Sequence, residues 1–161
     1  MQTGDTVRPA TPADVEDIFR LIRGLADYEH LAHEVTGSVD RLREHLFGSR
    51  PCVEAFVAEH VGACVGFALF FPTYSTFLTA PGLWLEDLFV EPAHRGRGLG
   101  GALLARVAAA AVARGCGRLE WAVLDWNTSA IGFYEARGAR IEGDWRIARV
   151  TGEGLARLAG S

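Results

Sequence analysis

Two adjacent carboxylates, Glu86 and Asp87, sit inside an apolar run that reads Leu83-Trp84-Leu85-Glu86-Asp87-Leu88-Phe89-Val90. That is a poor place for idle charges. The chemistry they offer is proton transfer or the attraction of a cation. Five residues, the last of them Arg95, separate Val90 from Gly96-Arg97-Gly98-Leu99-Gly100-Gly101. Glycines let backbone N–H groups approach a ligand, and a helix N-terminus adds partial positive charge. Arg95 and Arg97 add full charges. The loop suits a pyrophosphate. A third candidate is Tyr134, whose hydroxyl could protonate a leaving group or whose ring could simply pack at the core-facing spacing it shares with Ile131.

The glycines allow two ligand readings and one structural one. Gly96-x-Gly98-x-x-Gly101 fits a dinucleotide fingerprint, a weak signal on its own. That fingerprint wants its strand to run almost straight into the first glycine and wants an acid at the end of the next strand. Here the gap is wide, and Glu120 falls inside the next apolar run. The same residues also read as Arg95-x-x-Gly98-x-Gly100, an acyl-CoA loop. The third reading is a glycine turn that only caps a helix.

Alternating strands and helices position these groups. Thr6-Val7-Arg8 is a short strand. Thr11 with Pro12 and Asp14 opens a helix carrying Val15, Ile18, Ile22 and Leu25. Ser38 caps a second helix with Leu42 and Leu46. Runs 53–59 and 63–71 form a hairpin about His60-Val61-Gly62. Pro72 ends that strand, and a polar loop over 73–82 leads to the strand 83–90. The glycine loop opens a helix to about Arg114, stopped by Gly115. A strand over 118–124, a helix from Asn127 or Thr128 to Gly138, a strand region over 140–150 and a helical turn over 152–158 complete the chain. This order predicts an α/β fold. Its sheet is mixed and mostly antiparallel, flanked by helices, with a parallel crossover at the glycine loop.

Composition narrows the class. The chain has 161 residues, 49% of them hydrophobic, which suits one globular domain over 1–161. No apolar run reaches a membrane span, and the N-terminus has no signal-peptide pattern. A net charge of −4 argues against a nucleic-acid partner. Cys52, Cys64 and Cys116 are odd in number and unclustered, which points to a reduced, cytoplasmic setting and no metal site. All 16 basic residues are arginine, so the chain has no lysine of its own to modify.

Longer segments carry a family resemblance. They are Leu85-Glu86-Asp87-Leu88-Phe89-Val90, Ala122-Val123-Leu124-Asp125-Trp126-Asn127, Phe133-Tyr134-Glu135-Ala136-Arg137-Gly138-Ala139 and the opening Arg8-Pro9-Ala10-Thr11-Pro12-Ala13-Asp14. With the loop they resemble the diamine acetyltransferase branch of the GNAT N-acetyltransferases, which includes spermidine/spermine and thialysine acetyltransferases. The likeness runs from about Val7 to Gly160. It implies acetyl-CoA as co-substrate, a small primary amine as acceptor and direct transfer. Glu86 would take the amine proton through water, and Asp87 would attract the cation. Tyr134 would be the general acid at the sulfur. The backbone at Leu88, Phe89 and Val90 would pair with the pantetheine arm, the loop 95–101 would hold the pyrophosphate, and Asn127 would touch the cofactor or simply cap its helix. Glu29, Glu86, Asp87 and Trp145 match acceptor-site positions. Ser75 and Phe77 stand where the polyamine enzyme has aspartate and tryptophan, so a lysine-like amine or diamine of the thialysine type is favoured over long polyamines. A homodimer is implied as well. Other readings are a non-catalytic acyl-CoA sensor, an enzyme acting on a peptide or protein amine, and a nicotinamide or flavin enzyme.

Overall fold

The computed structural model describes residues 3–160, which fall into two compact units, one through Ala122 and one from Val123 onward. In the first, five strands lie in the order β1-β2-β3-β4-β5. They are β1 (Asp5–Pro9), β2 (Glu54–His60), β3 (Ala63–Ser75), β4 (Ala80–Val90) and β5 (Arg118–Glu120). Pairing is antiparallel from β1 through β4 and parallel between β4 and β5. Helix α3 (Leu99–Ala113) makes the parallel crossover.

Local chemistry explains the helix ends. The Asp14 carboxylate accepts from the Thr11 N–H at 2.7 Å and from its hydroxyl at 2.8 Å, closing the 3-10 turn Pro12–Asp14 that leads into α1 (Val15–Tyr28). Ser38 accepts from the Arg41 N–H and caps α2 (Val39–Phe47). Gly115, at φ +66°, ends the α3 segment.

Each face of the sheet has its own packing. On one, Val15, Ile18 and Leu21 of α1 and Leu46 of α2 pack with Val57, Phe67, Leu69 and Phe89. The other carries the stacked rings of Phe56 and Phe70. Arg106 of α3 lies over Phe56, and Arg114, just past α3, lies over Phe70. The α3 side chains Leu99, Leu103 and Val107 are fully buried.

Three sequence expectations are corrected. Residues 73–82 are not a polar loop, because β3 continues through Pro72 to Ser75 and β4 starts at Ala80. Pro72 is tolerated because β2 pairs with β3 only as far as Phe70, so that edge is open beyond it. The run 140–150 forms no strand. Among the described residues its unit holds α4 (Thr128–Glu135) and α5 (Gly152–Ala159) and no strand to pair with it. The strand expected over 118–124 is also shorter, ending at Glu120.

Gly66 marks a tight backbone approach between β3 and β4. A Cβ there would lie 2.8 Å from the Phe89 carbonyl oxygen and 3.0 Å from a Val90 methyl. The first contact is backbone and cannot swing away. Gly66→Ala is expected to cost about 1–3 kcal/mol, read as a lower midpoint in urea unfolding. An unchanged midpoint would show that β3 and β4 separate easily.

Candidate active site

An irregularity in β4 builds the carboxylate site. Asp87 pairs with Leu69, but Leu85 pairs with Phe70, so Glu86 is the extra residue of a β-bulge. Trp84 pairs with Phe71. Leu69 and Phe71 are two apart on one strand and share a face, so Trp84 and Asp87 share it too. The Trp84 indole Nε1–H donates to Glu86 Oε2 at 2.9 Å, which draws Glu86 to the same side. Regular alternation would have separated Glu86 and Asp87. The bulge brings both to the face covered by α1.

The electrostatics follow from this crowding. Asp87 is partly buried and Glu86 exposed. Burial, and then the negative charges of Glu86 and Glu29, push the Asp87 carboxyl up to about 7 from an ordinary 3.8. Burial also raises Glu29, the residue that closes α1. Three carboxylates expected at an acceptor site are therefore electrostatic neighbours, and one of them holds its proton near neutral pH.

Among the described residues, the β4 edge that faced β5 has no strand partner beyond Trp84, since their ladder covers Gly82–Trp84. Leu85 through Val90 thus present one backbone edge for pairing with an extended ligand. The strand then enters the 3-10 turn Pro92–His94 and the glycine loop. Gly96 and Gly98 have φ of +74° and +90°, a region that L side chains avoid. Gly98 is the N-cap of α3 and supplies no side-chain cap, and the space where a Gly96 Cβ would project is open. An uncapped helix end fronted by glycines fits a pyrophosphate.

The two loop arginines turn inward. Arg95 Nε–H donates to the Val90 carbonyl at 2.9 Å, and its guanidinium lies 4.7 Å from the Tyr28 ring centroid. Arg97 reaches Asp5 and His60. Sequence reading missed Tyr28, Trp84 and Asp5 as neighbours of these groups. Trp84 lies two residues from Glu86, a spacing that hinted at a shared face.

The second unit holds Asn127, Tyr134 and Trp145. Asn127 caps α4, its Oδ1 accepting from the Ala130 N–H at 3.2 Å. Tyr134 is buried, with its ring edge-on to Phe133 at 5.2 Å. Trp145 is 77% exposed. In the first unit, Ser75 is buried and its Oγ accepts from the Leu78 N–H, so it serves the β3–β4 turn. Phe77 stands 93% exposed at that turn.

Residues 17–139 match the model of the Acetyltransferase (GNAT) family. The chain belongs to the GNAT family. Membership makes it an acetyl-CoA-dependent N-acetyltransferase. It is 39% identical to the thialysine N-epsilon-acetyltransferase of Sus scrofa, with 96% of each chain covered. It is 34% identical to the L-ornithine N5-acetyltransferase NATA1 of Arabidopsis thaliana, over 92% of this chain and 85% of that one. The fold is similar to that of an integron cassette protein from the V. cholerae mobile metagenome, with a TM-score of 0.81, 24% identity, and 99% and 100% of the two chains covered. Among the described residues no helix is long and apolar enough to cross a membrane, and no cluster of three or more His, Cys, Asp or Glu could hold a metal ion.

Two outcomes follow from this geometry. Gly98→Val forces a β-branched residue to φ +90° and should abolish acetyl-CoA binding by calorimetry while the far-UV spectrum is kept. Retained affinity would remove the loop from the cofactor site. For Asp87, the raised carboxyl means the native state binds more protons than the unfolded chain between about 4 and 7. Its contribution therefore becomes less favourable as pH rises through that window. Asp87→Asn should be more stable than wild type at pH 8, by on the order of 2 kcal/mol, and the gain should shrink toward pH 4. Urea unfolding at the two pH values measures it, and an equal difference at both would refute the account of Asp87.

Proposed function

We propose that the protein acetylates the primary amine of a small lysine-like compound or diamine, by direct transfer from acetyl-CoA. The observation that carries this reading is the cluster of Glu29, Glu86 and Asp87, with the Asp87 carboxyl held at about 7. A free amine with a pKa near ~10 arrives protonated, and the site must take that proton. Glu86, at the exposed end, receives it through water. Asp87, whose proton affinity sits near neutral pH, is placed to hold it. With the proton on that pair, Glu29 still offers a negative charge to a second cationic group. The activities named for the thialysine and ornithine acetyltransferases support such an acceptor.

The chain's own groups supply the remaining steps. Backbone N–H groups at the α3 N-terminus hold the pyrophosphate, and the open edge of Leu88, Phe89 and Val90 aligns the pantetheine arm. Asn127 adds a cofactor contact beyond its cap, Tyr134 donates the proton that the departing sulfur requires, and Trp145 packs against the acceptor. A single acetyltransferase domain over 1–161, a homodimer with acceptor sites near its interface and a cytoplasmic setting complete the reading, on the strength of the family resemblance.

The test is acetyl-CoA turnover with thialysine, lysine, ornithine, putrescine and spermidine, repeated for three variants. Wild type should favour the shorter acceptors over spermidine. Glu86→Gln should lose most near pH 7 and recover as pH approaches the amine pKa, because more acceptor is then neutral. Wild-type kcat/KM should rise as the Asp87 carboxyl ionises across pH 7, and Asp87→Asn should remove that rise. Tyr134→Phe should lower kcat about 100-fold at little cost in acetyl-CoA affinity. Tight acetyl-CoA binding without turnover of any amine would favour a sensor. A small, pH-independent loss in Glu86→Gln would clear Glu86 of proton transfer.

A further inference from the structure

Arg97 has the look of a phosphate ligand from the sequence, but its partners lie in the sheet. Its Nη2 is 3.4 Å from Asp5 Oδ1 and 3.0 Å from His60 Nδ1. Asp5 opens β1 and pairs in register with His60 at the end of β2. The Asp5 side chain is fully buried and 2.9 Å from His60 Nδ1. A carboxylate taken out of water needs compensating partners, and Arg97 and His60 are two of them. The entry to the loop is attached at the same place. His94 closes the 3-10 turn that precedes Arg95, and its ring lies 5.3 Å from that of His60. Arg97 and His94 thus flank Arg95 and Gly96 and both contact the free end of the β1–β2 pair.

We propose that Arg97 is a positioning residue, a strut from the glycine loop to Asp5 and His60, and that it does not contact the pyrophosphate. The His60 nitrogen supports this. Nδ1 carries either a lone pair or a proton. With a lone pair it accepts from Arg97, and with a proton it donates to Asp5. In the first state Arg97 bridges both groups. In the second, Asp5 still faces the guanidinium. Moving Arg97 to a phosphate would break its contacts with Asp5 and His60. The two left-handed glycines beside Arg97 leave the loop backbone with wide conformational freedom. A fixed side chain between them restricts that freedom and keeps the helix-end N–H groups aimed at the ligand.

The proposal rests on the reading that this loop holds acetyl-CoA, and the test separates the two. Asp5→Asn keeps the Arg97 charge but weakens its anchor. KM for acetyl-CoA should rise roughly tenfold with kcat within about twofold. Arg97→Lys keeps a charge but loses the planar fork, and should behave the same way. The double variant should be no worse than either single one, because both cut the same strut. Loop amides 96–101 should exchange hydrogen faster than wild type in each variant without ligand. If Arg97 instead binds phosphate, Asp5→Asn frees it and KM stays level or falls, Arg97→Lys retains most affinity, and loop exchange is unchanged. Any of these results overturns the strut. If wild type binds no acetyl-CoA, the cofactor reading fails, and amide exchange alone decides the strut. Should Asp5→Asn not fold, Arg97→Lys, altered in a loop, carries the measurement.

Discussion

One extra residue in β4 sets the geometry of the candidate site. A regular strand would place Glu86 and Asp87 on opposite faces, one toward α1 and one toward α3. The bulge opposite Leu69 and Phe70 brings both to the α1 side. Like charges that close are unfavourable, and the penalty appears as the raised Asp87 carboxyl. The cost is met by the surrounding sheet, where Leu83 and Leu85 on β4 and Phe67 and Phe70 on β3 are buried nearly completely. Strain of this kind persists where packing over-determines the backbone.

The same strand organises the cofactor side. β5 pairs with β4 for only three positions, Gly82 to Trp84, and then leaves. The parallel crossover therefore yields a short ladder, a free strand edge and a helix N-terminus in succession along one stretch of chain. Ligands of open α/β sheets bind where such edges diverge. The loop between strand and helix gains rigidity from below, through Arg95 on Val90 and Tyr28, and through Arg97 on Asp5 and His60. Both guanidiniums contact protein groups, and the left-handed Gly96 and Gly98 shape the backbone that opens α3.

The elements themselves were legible because their signals are local. Thr11 with Asp14, Ser38 and Gly115 mark helix ends by short-range hydrogen bonding and backbone freedom, and each behaves accordingly. Periodicity placed Val15 and Ile18 of α1 and Leu46 of α2 in the core. Pro72 misled because a proline is excluded only where a neighbouring strand needs its N–H, and strand pairing is not a local property. The run 140–150 misled for a related reason: Ile141, Trp145, Ile147 and Val150 alternate with charged residues, but such a stretch becomes a strand only if an edge is available to it.

Residue types and spacing alone determined the candidate inventory: two carboxylates in an apolar strand, a glycine loop opening a helix, and a tyrosine on a short helix. They also determined the mixed sheet with its parallel crossover. The tertiary structure decided what each candidate faces. It placed Glu29, from the far end of α1, beside the β4 carboxylates. It turned Arg97 from a free charge into the partner of Asp5, ninety-two positions away in the chain. It also tied Ser75 to a turn. The reason is physical. Chain connectivity and periodicity act over a few residues, whereas the register of a bulged strand and the burial of a charge depend on which distant segments pack against it.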